Sequence, residues 1–518
     1  MSINPITTSK KLAQNALFNG ATIVINSVIY FFLIRFFLGQ LGEKRYGVWL
    51  LVASIFQYRD LMGMGLNSAV NRYIPVYLAK GNEKGIQQVI NTTFFFFLTL
   101  AIIMVLLTLV VYFNVGSWFI IEPELVNVAS KLVLVVGLCG ACAMSLSLSS
   151  AVLSGLQRYD IINIGVLVPV VVRTVLLVVL LRGGCGLITM GLIFGLSEIV
   201  MRLLQLTFAR KLFPRVSISL ASVDLRLLKE MLAYGINTFL YATGAVIISK
   251  ASDVIIGIFI GTAGVSQFAI TTAAILLLSQ FLQAFTQAIK PAVSDLDARD
   301  EHSQVREISL LMQKYSLLLI IPAGCFLVVM GREFLWVWVG QKFQDPAVID
   351  VMSTILVILT LGHCLRLAQN TNFLVLVGKG DHRIFGILMA VTAISCVLLS
   401  VFSVEVLHKG LIGIAWSNFL PLAVTSGLIL PIYFNRKMHI SARESVLRVW
   451  LPALLGTLPT VAMISVWKYL SAPNSWLEIA SVVTASMGLT LISSWFLSLD
   501  QVERKRIVYI ALRKNSGG

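Results

Sequence analysis

Long apolar runs, each closed by a short polar, Gly- or Pro-bearing turn, recur along the whole chain. An α-helix rises about 1.5 Å per residue, so about 20 mostly apolar residues cross the hydrocarbon layer of a bilayer. Fourteen runs meet that requirement: 12–38, 46–77, 89–113, 126–154, 160–181, 186–209, 230–260, 264–290, 308–331, 346–377, 384–404, 409–434, 446–469 and 475–497. Their boundaries are soft by a turn, because several runs are long enough to tilt. The pattern predicts an all-α polytopic membrane protein whose first run is a spanning helix rather than a cleaved leader, being too long and lacking a small-residue exit.

The turns set an orientation. One alternating set holds 24 Lys and Arg, among them Lys80, Lys84, Arg210, Lys211, Arg226, Lys229, Arg436, Lys437 and the tail from Arg504; the other set holds 7. Basic loops stay in the cytoplasm, so both termini are expected there. Trp49, Trp118, Trp336, Trp338, Trp416, Trp467 and Trp476 then fall near outer ends and Trp450 and Trp495 near inner ends, where indole rings settle. The sequon Asn91-Thr92-Thr93 opens the third span on the cytoplasmic side, out of reach of glycosylation.

Composition agrees with the pattern. The chain of 518 residues is 58% hydrophobic and only 12% charged, which excludes a soluble enzyme, a disordered chain and a nucleic-acid module. The net charge of +16 is mostly loop topology. Six cysteines lie scattered in apolar segments, so no disulfide framework is expected, and five scattered histidines offer no metal spacing. Cys139-Gly-Ala-Cys142 reads as small-residue helix packing rather than a redox motif.

A faint repeat aligns the ends of spans one and seven. Phe37 to Gly47 lies over Ile256 to Ser266 at an offset of 219, and a shift to 218 sets Arg72 on Lys290. Units that begin at spans one and seven have six helices each, hence the same orientation, and enclose a cleft that opens to alternate sides. The expected organisation is an N-lobe at 1–209, a linker at 210–229, a C-lobe at 230–434, and two further helices with a basic tail at 435–518.

Nine basic residues remain inside spans: Arg35, Arg59, Arg72, Lys131, Arg173, Arg202, Lys250, Lys290 and Arg366. Arg35, Lys131, Arg202 and Lys290 lie near span ends and are expected to reach the headgroups. Arg59, Arg173 and Arg366 sit near mid-span, where a charge costs about 2.5–3.5 kcal/mol on insertion scales and faces a partner or a watery cavity. These three are the leading substrate-binding candidates, followed by Arg72, an inner-gate residue or another that reaches the headgroups, and Lys250. Lys250 and Asp253 are spaced i, i+3, which allows an ion pair within the helix. The intramembrane acids are Asp60, Glu198 and Asp253; Glu198 is expected to pair with Arg173 or Arg202, and all three are candidates to carry a coupling proton or sodium ion. Nine cations against three acids favour an anionic substrate, in particular a phosphate or pyrophosphate that takes forked hydrogen bonds from arginine. His363 beside Arg366 is a relay or a lumen-lining group. Pro169, Pro322, Pro421, Pro452 and Pro459 are candidate kinks around a cavity.

Several stretches together resemble the multidrug/oligosaccharidyl-lipid/polysaccharide (MOP) exporter superfamily, and most closely its Wzx-type O-antigen flippases. They are Asn15-Ala16, the turn from Leu41-Gly42 to Tyr46-Gly47, Asp60 through Gly65-Leu66-Asn67-Ser68-Ala69 to Arg72-Tyr73, Lys80-Gly81-Asn82-Glu83, Asp253 to Gly257 with Phe259, and Lys290-Pro291-Ala292-Val293-Ser294. The chain departs from that pattern after Asp60-Leu61, where Met62 stands in place of the usual glycine. The resemblance implies two six-helix lobes plus two C-terminal helices, a cationic lumen and ion-coupled antiport. It also implies movement of an undecaprenyl-pyrophosphate-linked oligosaccharide from the cytoplasmic to the periplasmic leaflet of a bacterial inner membrane, without a bound cofactor or metal. Polysaccharide polymerase or assembly proteins are the implied partners, and nucleic acid is not.

Two rivals are weighed against it. A multidrug antiporter of the same fold calls for an acidic, aromatic cavity, against which the surplus of arginine speaks. A polytopic polymerase or glycosyltransferase calls for catalytic groups on a long outer loop, whereas the outer loops near 114–125 and 332–345 have no convergent carboxylate pair. A major-facilitator carrier is disfavoured because Ala79 to Lys84 lacks that family's Gly, Asp and Arg signature.

Overall fold

The computed structural model describes residues 5–63, 65–212, 217–286, 289–380 and 383–505. Regular structure among the described residues is helical throughout. Apolar runs free of charge leave the backbone no partner in a bilayer but itself, and the helix satisfies every N–H and C=O within one segment. Polar residues at the turns start the helices. Asn82, Asp224, Ser441 and Ser475 each accept a hydrogen bond from a backbone N–H of the turn that follows.

The spans fall where the apolar runs place them. Single helices form the first (Pro5–Leu41), third (Glu83–Trp118), fifth (Tyr159–Arg182), sixth (Leu187–Leu212), seventh (Leu225–Phe259), ninth (His302–Trp338), eleventh (Arg383–Glu405) and fourteenth (Trp476–Leu497) spans. The fourth is Pro123–Ser145 and Leu148–Gly155, the eighth Thr262–Thr286 and Ile289–Ala298, and the tenth Ala347–Ala368 and Asn370–Gly378. In the twelfth, Gly410–Val424 passes through a π-turn into Leu430–Lys437; in the thirteenth, Ala442–Ser445 passes through another into Leu451–Leu470. Pro431 and Pro452 follow these wide turns, which open the helix where a proline ring would strike the carbonyl four residues earlier.

Among the described residues, thirteen helices are long and apolar enough to cross a membrane. The second span completes the expected fourteen, but in three pieces: Glu43–Gln57, Arg59–Met62 and Leu66–Ala79. Gly65, at φ +72°, takes a left-handed turn that a β-carbon disfavours, and the helix restarts there. The chain is therefore a multi-pass membrane protein. Its third span shows the lipid-facing pattern: Ile102, Leu106 and Phe113 are exposed while Ala101, Met104 and Thr108 are buried.

Two compact units form, one of residues Met1–Ala273 with His382–Ser417, the other of Ala274–Asp381 with Asn418–Gly518. This grouping follows contact, whereas the lobe division at 209 and 230 follows chain order and the faint repeat. In the first unit the seventh span packs along the second and the eleventh. Part of the linker is held there by the sequon residues: Asn91 donates to the Ser217 carbonyl at 3.0 Å and accepts from the Ser219 N–H at 2.7 Å, and Thr92 accepts from the Asp224 N–H at 2.9 Å.

In the second unit the ninth span is a hub for the two C-terminal helices, which are packed against it rather than appended. Met330, Ile464 and Val482 form a buried cluster, Glu333 pairs with Lys468 at one end, and Arg306 pairs with Glu444 and Glu307 with Arg448 (2.6 Å) at the other. Lys314, counted from the sequence among the inner-loop cations, is instead a buried residue of a helix that begins at His302; its ammonium meets Glu503 at 2.5 Å with both side chains 6% exposed. Removing one partner of such a pair strands a buried charge at a cost of about 3–5 kcal/mol, while replacing both with apolar residues is near neutral. Lys314→Met is thus expected to lower the thermal midpoint of the purified protein by several degrees. Lys314→Met with Glu503→Leu should restore most of the loss, and equal midpoints for single variant and wild type would refute the assignment.

Candidate functional site

The sixth span organises the site. Phe194, Glu198 and Arg202 follow one another at i, i+4 and therefore share a face of the helix. Two of the mid-span arginines converge on that face. Arg59, from the short Arg59–Met62 segment of the broken second span, forms an ion pair with Glu198; the two side chains are 20% and 24% exposed. Arg173, on the fifth span, lays its guanidinium 4.5 Å from the centre of the Phe194 ring, one turn away.

Both cations are positioned by their surroundings. A β-carbon on Gly140 of the fourth span would stand 2.8 Å from Arg59 Nη1, so the Arg59 guanidinium lies against bare backbone. Phe194 is held from behind by Trp49, at 4.7 Å between ring centres, and by Phe37 at 6.5 Å. A cation over an aromatic face in a dry setting is worth about 2 kcal/mol. Arg202, expected at the headgroups, donates from Nη1 to Ser150 Oγ at 2.9 Å. Among the described side chains the group holds three guanidiniums, of Arg59, Arg173 and Arg202, and one carboxylate, of Glu198. Glu198, for which Arg173 or Arg202 was the expected partner, pairs with Arg59, which the broken second span delivers across the helix face. The Asp60 side chain lies outside the described residues, as do those of Lys290 and Arg383.

A second polar group sits between the second and seventh spans. Asp253, 3% exposed, accepts a 2.7 Å hydrogen bond from Ser54 Oγ, and Lys250 reaches the same carboxylate oxygen at 3.3 Å. The ion pair expected from the i, i+3 spacing is present; Ser54 is a partner that no local pattern announced. Arg72 lies 4.5 Å over the ring of Tyr234 on the seventh span, near the approach of Gly65 to Gly235. Arg366 and His363 belong to the second unit, on the tenth span, where His363 is buried and its Nδ1 has no hydrogen-bond partner. Among the described residues, no group of three or more His, Cys, Asp or Glu is placed to hold a metal ion.

Sequence reading missed Phe194, Gly140, Ser54 and Tyr234. Of these only Phe194 carried a local signal, its i, i+4 spacing from Glu198. The others are met through contacts between distant segments.

The fold is that of MOP-superfamily transporters. A multidrug resistance MATE family transporter of the MOP superfamily in its inward-facing conformation superposes with a TM-score of 0.66 at 14% identity, covering 82% of this chain and 94% of that one. The lipid II flippase MurJ in an inward closed conformation gives a TM-score of 0.66 at 17% identity over 92% of this chain and 98% of its own. A MOP superfamily transporter from Pyrococcus furiosus, described as having a binding pocket of reverse polarity that suggests a different function, gives 0.59 at 15% identity over 83% and 96%. No curated protein matches in sequence. Residues 41–348 match the family model described as "Polysaccharide biosynthesis protein", which is more than half of the chain. The chain belongs to the polysaccharide biosynthesis protein family.

Proposed function

We propose that the protein is a Wzx-type flippase. It moves an undecaprenyl-pyrophosphate-linked oligosaccharide, the repeat unit of O-antigen or another surface polysaccharide, from the cytoplasmic to the periplasmic leaflet of a bacterial inner membrane by alternating access. The observation that carries this reading is the convergence of Arg59 and Arg173 on the Phe194–Glu198 face of the sixth span, with guanidinium in excess over carboxylate among the described side chains. Forked N–H donors in a dry setting suit the two phosphates of a lipid-linked sugar, and a helix bundle in lipid supplies the path for the polyprenyl tail. Arg366, Arg72 and Lys250 are further substrate contacts in this reading. Asp253, Glu198 and Asp60 are the carboxylates for a coupling proton or sodium ion, and both termini are cytoplasmic. Polysaccharide polymerase and assembly proteins are the partners of such a flippase.

A multidrug cation antiporter shares the fold, but a site with excess guanidinium repels its cargo. The two readings separate in a bacterium deleted for its own flippase and, independently, for its drug exporters. The gene is expected to restore surface polysaccharide and leave drug sensitivity unchanged. Drug resistance without polysaccharide would refute the reading.

A further inference from the structure

The linker between the sixth and seventh spans carries apolar side chains where a connecting loop is ordinarily polar, and exposed apolar clusters mark surfaces that something covers. Ile218, Leu220 and Leu225 are 53%, 69% and 73% exposed, while Leu227 and Met231, on the opposite side of the helix that follows, are buried. We infer that residues 217–229 form an interfacial strap on the inner leaflet: Ile218, Leu220 and Leu225 dip among the lipids, and Arg226 and Lys229 meet the headgroups of anionic phospholipids. The strap depends on the orientation set by the basic loops and not on the identity of the cargo.

Depth comes from the third span. Asn91 and Thr92, which hold the Ser217 carbonyl and the Ser219 and Asp224 N–H groups, stand three and two residues before Phe94, the first of four consecutive phenylalanines. A helical turn rises about 5.4 Å, so the strap lies within a turn of the hydrocarbon edge, in the layer that headgroups occupy. Backbone at that depth needs partners, because little water is left to supply them. Here they are built in. Gln87 also reaches the Ser217 and Ser222 hydroxyls at 3.3 and 3.2 Å, and a 3-10 turn over Leu220–Ser222 bonds the Ser222 and Val223 N–H groups to the Ser219 and Leu220 carbonyls. The Asp224 carboxylate is engaged in capping, accepting from the Arg226 and Leu227 N–H groups.

Charge selects the occupant. Lys229 follows Leu225 by four residues and Arg226 by three, so the three share one face of the seventh span, and all are exposed. Between 210 and 230 the chain carries five cations and two acids. Aliphatic side chains with cations beside them at the membrane surface suit an acidic leaflet, since the stems lie along the acyl chains while the charged ends stay with the phosphates. A soluble partner would have to reach the patch at a depth where lipid already stands. The start of the seventh span is thereby tied to the leaflet as well as to the third span.

The test uses the full-length protein in liposomes. Leu220→Cys carries an NBD fluorophore in a chain whose six native cysteines are replaced by alanine and which elutes as a single species in detergent; Ile218→Cys repeats the measurement at a second site. In phosphatidylcholine containing phosphatidylglycerol, the probe is expected to be quenched by lipid-borne doxyl groups and shielded from aqueous iodide. Arg226→Gln with Lys229→Gln should raise the phosphatidylglycerol fraction needed for half-maximal doxyl quenching about fivefold or more, since one cation at an anionic surface is worth about that factor. Iodide quenching as strong as that of free dye, or doxyl quenching indifferent to phosphatidylglycerol, overturns the inference and leaves the substrate reading standing. Shielding that appears only when cytosolic protein is added overturns it as well, by putting a protein on the patch.

Discussion

Arg173→Ala is expected to abolish surface polysaccharide in a flippase-deficient host while the protein persists in the membrane at wild-type amounts. Arg173 has no carboxylate in hydrogen-bonded contact among the described residues; its guanidinium lies 4.5 Å over the Phe194 ring, and its Nε has no hydrogen-bond partner. An arginine held by an aromatic face spends energy on position while keeping its donors for something else. Losing two charge-assisted hydrogen bonds to a ligand corresponds to a fall in affinity of about a hundredfold or more. Arg173→Lys keeps the charge but not the fork and should fall between. Arg59→Ala needs a companion, because it also strands Glu198 in a largely buried site. Arg59→Ala with Glu198→Gln separates lost binding from lost stability, and the pair should accumulate better than Arg59→Ala alone. Wild-type polysaccharide in Arg173→Ala would remove it from the site.

Gly47→Ala should prevent accumulation of folded protein, a large effect from one methyl group. A β-carbon at Gly47 would lie 1.8 Å from the carbonyl oxygen and 2.6 Å from the carbonyl carbon of Thr262. These are backbone atoms at the start of the eighth span and have no rotamer to change, so relief requires moving one helix off another. Gly65, where a β-carbon would meet the Gly235 carbonyl oxygen at 2.3 Å and φ is +72°, should respond in the same way. The control is Gly488→Ala in the fourteenth span, where nothing lies within 4 Å of the added carbon. There alanine should be neutral or gain up to about 1 kcal/mol from helix propensity. Size-exclusion profiles and thermal midpoints in detergent give the comparison; a monodisperse Gly47→Ala protein with a wild-type midpoint would mean that the two backbones do not touch.

These two cases mark the limit of sequence reading in this chain. The spans were legible because burial in lipid imposes a length and a composition on each segment separately. The second span was legible as a run, but its division into three helices was not, since Gly63 and Gly65 weaken a helix without saying whether it bends. Mid-span arginines stood out because their cost in a bilayer is large wherever they point. Lys250 and Asp253 could be paired in advance because helix geometry alone brings i and i+3 together. The partners of Arg59 and Asp253 could not, since Glu198 is 139 residues away from the one and Ser54 199 from the other.

The sequence by itself therefore determined a bundle of fourteen spans, its expected orientation, and a membrane interior in which cations outnumber acids. Only the tertiary structure decided that Arg59 is held by Glu198 while Arg173 rests on Phe194, and that Lys314 is buried against Glu503. The reason is physical. Hydrophobicity and helical periodicity act within a segment and leave their record there, whereas the pairing of charges across helices depends on which faces pack together, and many pairings satisfy the same periodicity.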